Sequence, residues 1–353
     1  MRHLVLRGDG VLEPDGLWQV PEPIRVATLH RPRSDLRHAF IVRATPPQGK
    51  GRRAPDADHV RQGYPRVTTG NTITLMKNVE GKIVLITGAA MGMGKMYAER
   101  AVAEGASAVV LWDINRVALA ETVDELKQAD GTTEVHSYLV DVSDRNAIEA
   151  NAALVLEQVG TPEILFNNAG VVRGNKYFWE TDNVSDTEFT IKINTLAPMF
   201  IARAFLPAMI EGGKESRLIN VASSAGFVGN PRMASYAASK WGAIGFSDSI
   251  RLEVDQAGFK HIKVTTVCPY YVKTGMFEGA KSGLMTPLLE PEDVVNEVWK
   301  GMRKGAPFVI MPKSVILNES IKGLMPTQLR DLLVGKVFGI HKTMDEFKGR
   351  EKS

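Results

Sequence analysis

The sequence predicts an α/β protein built on a doubly wound parallel sheet, and three observations carry that expectation. From residue 82 onward, short apolar runs alternate with longer helical stretches. The first of these runs, Ile83-Val84-Leu85-Ile86, is continuously apolar rather than alternating, as a strand covered on both faces must be. It ends in a glycine-rich turn at 87–94 that opens directly into a helix.

The elements follow in order. Ile83-Val84-Leu85-Ile86-Thr87 is the first strand, and a helix is expected to about Glu104. Ala108–Trp112 is the second strand, with a helix over 116–129. His136–Asp141 is the third, followed by a helix over 144–158, and Ile164–Asn167 is the fourth. A long helix is expected over 186–211, because Ser185-Asp186-Thr187-Glu188 reads as a capping box. Arg217–Val221 precedes a helix at 234–257, and Ile262–Val267 is the sixth strand. Glu290-Pro291-Glu292 starts another helix, and Pro307–Met311 is the seventh strand.

Composition narrows the function classes. The net charge of +3 divides into +5 over residues 1–75 (twelve Arg and Lys against seven Asp and Glu) and −2 over 76–353 (31 against 33). The folding part is near neutral, so nucleic acid is not an expected partner. A single cysteine, Cys268, cannot form an internal disulfide, and seven scattered histidines offer no ligand spacing, so no metal is expected. A reducing cytoplasm is the expected location. No run of about 18 apolar residues is evident, and no membrane-spanning segment is expected. Segment 1–75 holds eight of the eighteen prolines and eleven arginines but one lysine. It is read as a disordered extension, with Met76 as a possible true start, followed by a catalytic domain over 76–315 and a helical extension over 316–353.

The glycine turn Thr87-Gly88-Ala89-Ala90-Met91-Gly92-Met93-Gly94 points to a dinucleotide. Glycines allow a tight turn and close backbone approach to a pyrophosphate, which the helix N-terminus then attracts. Gly88, Gly92, Met93 and Gly94 are therefore candidate cofactor-binding residues of a Rossmann fold. Asp113 ends the second strand, nineteen residues beyond Gly94. A carboxylate there accepts bonds from the adenosine ribose and repels a 2′-phosphate, so NAD is expected over NADP. Asp141 and Val142 would flank the adenine. Asn168, Ala169 and Gly170 would lie under the nicotinamide ribose.

The reacting end is Tyr236-Ala237-Ala238-Ser239-Lys240, with Ser223 thirteen residues upstream. Tyr236 and Lys240 share a helix face, and the ammonium is expected to lower the phenol pKa. Tyr236 would exchange a proton with the substrate oxygen, Ser223 would orient that oxygen, and Lys240 would also hold the nicotinamide ribose. Asn194 would organise a water that relays protons to Lys240.

Taken together, T-G-x-x-x-G-x-G at 87–94, N-N-A-G at 167–170, Asn194, Ser223 and Y-x-x-x-K at 236–240 resemble the short-chain dehydrogenases/reductases, over about residues 80–315. The resemblance implies reversible hydride transfer between a nicotinamide cofactor and an alcohol/carbonyl pair. Leu111–Asn115, Cys268–Phe277 and Met344–Arg350 are similar to the retinol and 17β-hydroxysteroid dehydrogenase branch. Val272 and Thr274 then correspond to the stretch that meets the carboxamide, with Tyr270 where most members have glycine. Family resemblance also implies a homodimer or homotetramer, and a mobile lid at 275–289. The apolar N-terminal membrane anchor common in eukaryotic relatives is not expected here.

Met276, Phe277, Leu284, Met285, Leu288 and Leu289 give that lid an adaptable apolar wall, with Gly279 and Gly283 as hinges. The expected substrate is a hydrophobic alcohol or carbonyl of steroid, retinoid or long-chain type. The tail Ile316–Met344, with Leu324, Leu329, Leu332, Leu333, Val337 and Phe338, could close the pocket, join subunits or lie peripherally on a lipid surface. Two alternatives stay open at this stage. One is an NADPH-dependent 3-ketoacyl-type reductase, disfavoured by Asp113, and the other a non-catalytic dinucleotide-binding protein.

Overall fold

The computed structural model of the chain describes residues 76–129, 131–280, 287–316, 326–332, 343, 344, 346 and 347, all within one compact unit, Asp58–Ser353. Segment 1–75, most of the tail, and the lid residues Gly283, Leu284 and Met285 lie outside the described residues.

Seven strands form one sheet in the order β3-β2-β1-β4-β5-β6-β7, and every pairing is parallel. The strands are β1 (Ile83–Thr87), β2 (Ala108–Asp113), β3 (Glu134–Leu139), β4 (Ile164–Asn167), β5 (Ser216–Val221), β6 (Ile262–Pro269) and β7 (Phe308–Met311). The helices are α1 (Gly92–Ala103), α2 (Arg116–Ala129), α3 (Arg145–Gln158), α4 (Asn183–Gly212), α5 (Ala234–Gln256), α6 (Pro291–Lys304) and the short α7 (Thr327–Leu332). The order reverses between β1 and β4, and ligands of such sheets bind outside the carboxyl ends of the strands at that point.

The two-residue period of the strands builds a core on each face. Val84, Ile86, Val109, Leu111 and Phe166 pack toward α1, α2 and α6. Leu85, Val110, Trp112, Leu165 and Leu218 pack toward α3, α4 and α5. On the first face Tyr97, Phe166 and Trp299 stack in series at 4.5 and 5.9 Å, joining α1 to α6 through β4. Each such aromatic, fully buried, contributes about 1.5–3 kcal/mol. Met76 and Val79 join this core, so the described body packs from its first residue.

β3 and α4 depart from their expected bounds. β3 lies two residues earlier than expected, because its register is set by β2: Glu134 pairs with Ala108 and Leu139 with Asp113. Asp141 instead turns the chain, accepting the amide of Ser143 at 2.8 Å. The long helix begins at Asn183 and is capped by Asp182, which accepts from the amides of Val184 and Ser185 and from the Ser185 hydroxyl. Glu188 closes no capping box there and pairs with Lys192 at 2.6 Å.

The expectation that no segment is apolar enough to span a membrane also needs correction. By length and composition α4 passes that test, with a mean hydropathy of 1.4 over its best window. Its apolar residues are used for packing: Ala197, Ile201, Ala202, Phe205 and Met209 are buried in the second core, and Trp112 meets Phe205 at 5.8 Å. It is the central helix of that face.

Candidate active site

The glycine turn is a closed clasp. The backbone of Gly88 has φ +64°, and a Cβ on Gly94 would stand 2.0 Å from the carbonyl oxygen of Gly88. Only glycine fits Gly94 without moving the main chain. Asn168, directly after β4, braces the turn, its side-chain nitrogen donating to the carbonyls of Thr87 (2.9 Å) and Gly88 (3.2 Å). The Thr87 hydroxyl accepts the amides of Asn168 and Ala169, each at 3.0 Å. Thr87 is thus a positioning residue that sequence reasoning passed over, although it heads the motif.

Asp113 is tied to the same turn. One carboxylate oxygen accepts the amide of Ala90 at 2.9 Å and the other that of Asn115 at 2.9 Å. Capping of α2 falls to Asn115, whose side chain accepts from the amide of Ala118 at 3.1 Å. Met93 packs against the first core and Val142 against the second, whereas Asp141 bonds within its own turn.

At the other side of the crevice, Thr274 approaches Gly92, where an added Cβ would meet its side chain at 3.6 Å. Val272 is buried and forms a parallel bridge to Leu289, and the amide of Lys273 donates to Leu289 at 3.0 Å. The segment after β6 is thereby carried beside the N-terminus of α1.

These residues fit a dinucleotide. The N-cap residue of α1, Met91, makes no side-chain capping bond and the first turn carries no acidic residue, leaving that N-terminus suited to an anion. The Oδ1 of Asn168 is buried without a hydrogen-bond partner beside the turn.

Tyr236, Ser223 and Lys240 come together as expected, but with different electrostatics. Tyr236 is 4% exposed, and burial pushes its phenol up to about 12, with the Ser223 hydroxyl acting the other way. The expected lowering by Lys240 is not found. Its Nζ lies 5.7 Å from the Tyr236 ring centre and donates to the carbonyl of Val221 at 3.0 Å. Burial brings the Lys240 ammonium itself down to about 8. Desolvation outweighs the mutual effect because both groups sit in the same dry environment. Ser223 accepts the amide of Ala225 at 3.2 Å and donates to the carbonyl of Pro269 at 3.4 Å.

Asn194 sits in a stretch of α4, Lys192–Leu196, wound with five-residue hydrogen bonds, a distortion frequent at functional sites. Its Oδ1 accepts the amide of Val171, and its Nδ2 donates to Val171 and to Ser239, all at 2.9–3.0 Å. Ser239 in turn donates to the carbonyl of Tyr236 at 2.6 Å, a link hidden between the two named residues of the motif. Gly170 lies between the groups: an added Cβ would meet Asn194 Oδ1 at 3.3 Å and Lys240 Nζ at 3.6 Å.

Around Tyr236 the surroundings are apolar and aromatic. Met233, Tyr270, Tyr271, Ala280 and Met344 are buried with it, and Phe277, Leu288 and Leu289 pack against them. Phe277 meets Tyr236 edge-on at 6.1 Å.

Comparisons with known proteins agree with this geometry. Residues 82–284 match the family described as short chain dehydrogenase. The chain is 38% identical over 278 residues to human epidermal retinol dehydrogenase 2, covering 78% of this chain and 88% of the relative. It is 35% identical to human estradiol 17-beta-dehydrogenase 11, covering 74% and 85%. Among solved structures, a short chain dehydrogenase/reductase from Burkholderia phymatum in complex with NAD is 27% identical, with TM-score 0.63 over 70% of this chain and 96% of that one. A metagenomic short-chain oxidoreductase in complex with NADP is 29% identical, with TM-score 0.55 over 66% and 95%.

Proposed function

The chain belongs to the short-chain dehydrogenase/reductase family, an oxidoreductase acting on CH–OH donors, and from that premise we propose that it oxidises or forms a hydrophobic alcohol with NAD. The observation that carries the substrate class is the burial of Tyr236 among Met233, Tyr271, Phe277 and Met344. A polyol or sugar would leave its hydroxyls without partners there.

Nicotinamide, when bound, supplies the hydride donor or acceptor. Tyr236 holds the proton exchanged with the substrate oxygen. With its phenol near 12 it is protonated at neutral pH and suited to donate toward a carbonyl. In the oxidative direction the phenol must first give up its proton, and the Ser223 hydroxyl, which opposes the effect of burial, favours the phenolate that remains. Ser223 hydrogen-bonds the substrate oxygen beside Tyr236. Asn194 Oδ1 and Lys240 Nζ both face the space over Gly170, which supports a water relay through that gap. Val272 and Thr274 would hold the carboxamide through their backbone, and Lys240 the ribose hydroxyls.

Preference for NAD rests on Asp113, whose carboxylate is fixed by two amides and cannot turn away from a 2′-phosphate. We read the protein as a cytoplasmic homodimer or homotetramer, with its tail closing the pocket and available for peripheral contact with lipid. Cys268 is a free, buried thiol, compatible with a reducing compartment.

Following NADH fluorescence across steroid, retinoid and long-chain alcohol panels tests the reading, with Tyr236→Phe as control. Turnover of a lipophilic member with NAD, lost by about 10²-fold or more in the control, is expected. Activity confined to small polar alcohols, or retained by Tyr236→Phe, would overturn it.

A further inference from the structure

Near the C-terminus, Thr343 and Met344 are almost completely buried, at 2% and 1% exposure, although they belong to no strand or long helix. Side-chain hydrogen bonds anchor them. The Thr343 hydroxyl lies 3.1 Å from the phenol oxygen of Tyr271 and accepts from Asn230 at 3.2 Å, and Asn230 also donates to Tyr271 at 3.0 Å. A second amide, Asn175, donates to the carbonyl of Met344 at 3.2 Å. The three-way contact joins the C-terminal residues to the segment after β6 and to the loop before α5.

The far side of this contact is the reacting end. Met344 is buried in the same cluster as Tyr236, and Phe347 packs against that cluster. Phe277 forms the bridge, 6.1 Å from the ring of Tyr236, 4.9 Å from Tyr271 and 6.5 Å from Phe347. The other walls are held by main chain: Tyr270 donates its amide to Met311 at 2.8 Å, and Leu289 to Tyr271 at 2.8 Å. A bulky alcohol must reach a phenol that is 4% exposed. The wall fixed by side-chain bonds gives way more readily than one fixed by main-chain bonds.

Building on the assignment of Tyr236 as the proton-exchanging group, we propose that these C-terminal residues are part of the substrate site. Met344 and Phe347 form the wall beyond Phe277 that sets the size of alcohol admitted. Thr343, held by Asn230 and Tyr271, is the positioning residue for that wall.

The test compares the full chain with Phe347→Ala and Thr343→Val, using 2-propanol, 2-decanol and a steroid alcohol with NAD. Phe347→Ala is expected to change the kcat/KM ratio of steroid over 2-propanol by about tenfold, the scale of a resized apolar pocket. Thr343→Val should move the same ratio in the same direction, mainly through KM, with the NAD dissociation constant unchanged. A ratio constant in both variants, or an equal loss on every alcohol, overturns the proposal. If the parent chain oxidises none of the panel, the proposed activity falls on its own. The wall is then judged by binding of 8-anilinonaphthalene-1-sulfonate to the NAD-loaded protein. Phe347→Ala must shift that dissociation constant by about fivefold, near 1 kcal/mol, while exposed Trp179→Ala does not. No shift in Phe347→Ala overturns the proposal.

Discussion

The carboxylate of Asp113 accepts the amide of Ala90 at 2.9 Å, so the residue proposed to discriminate cofactors and the glycine turn proposed to approach the pyrophosphate are one hydrogen-bonded unit. Asp113→Asn keeps an acceptor for Ala90 but loses the charge. We expect a folded protein whose preference for NAD over NADP, as a ratio of KM values, falls by about tenfold. Asp113→Ala should in addition lower stability by about 1–3 kcal/mol in urea unfolding, because the buried amide loses its partner. An unchanged cofactor ratio in Asp113→Asn would remove the carboxylate from that role.

Gly94→Ala should be poorly tolerated. Its Cβ would meet main-chain atoms of Gly88 at 2.0 and 2.8 Å, and neither is the end of a flexible side chain. A loss of about 3 kcal/mol is expected, together with loss of NADH fluorescence enhancement. Gly245→Ala, which meets nothing within 4 Å, is the matched control and should be neutral or slightly stabilising.

Gly170→Ala separates catalysis from binding. The new methyl would lie 3.3 Å from Asn194 Oδ1 and 3.6 Å from Lys240 Nζ, close enough to fill the gap and distant enough to fold. Expected are a near-parental melting temperature and a kcat lower by about 10²-fold, the size of a lost proton-transfer contribution. Full kcat in a folded variant would rule out a relay over Gly170.

The buried Lys240 ammonium gives stability a particular pH dependence. Its native pKa, about 8, lies below the ordinary 10.5. Between those values the unfolded chain binds a proton that the native chain does not, so this group makes stability rise with pH across the window. Below about pH 8 its full penalty, about 3 kcal/mol, is present. Urea unfolding of the parent relative to Lys240→Met should therefore improve steadily from pH 8 to 10.5. A flat difference over that range would mean that the ammonium is solvated in the native state.

A chain begun at Met76 should match the parent in melting temperature and in turnover. Met76 and Val79 already pack into the first core, at 2% and 0% exposure. A drop of several degrees would assign 1–75 a structural role.

The order of elements was legible because strands covered on both faces leave continuous apolar runs, and Ile83–Thr87, Ala108–Trp112 and Ile164–Asn167 needed nothing else. β3 was misplaced because it is an edge strand, half exposed, whose limits come from pairing with β2. Asp182 escaped notice because Ser185 and Glu188 offered a better local pattern, while hydrogen bonding favoured the earlier carboxylate.

The spacing of glycines and of Tyr236 and Lys240 by itself determined the tight turn before α1 and the pairing of Tyr236 with Lys240 on one helix face, since both are local backbone and helix-face relations. Tertiary structure alone decided the sign of the Tyr236 shift, because desolvation depends on what covers the phenol rather than on what adjoins it in sequence. It alone linked Asp113 to Ala90, Asn194 to Ser239, and Thr343 to Tyr271, across 23, 45 and 72 residues. Hydrogen bonds at such separations leave no periodic trace in a chain, and they exist only once the sheet has brought their partners to one edge.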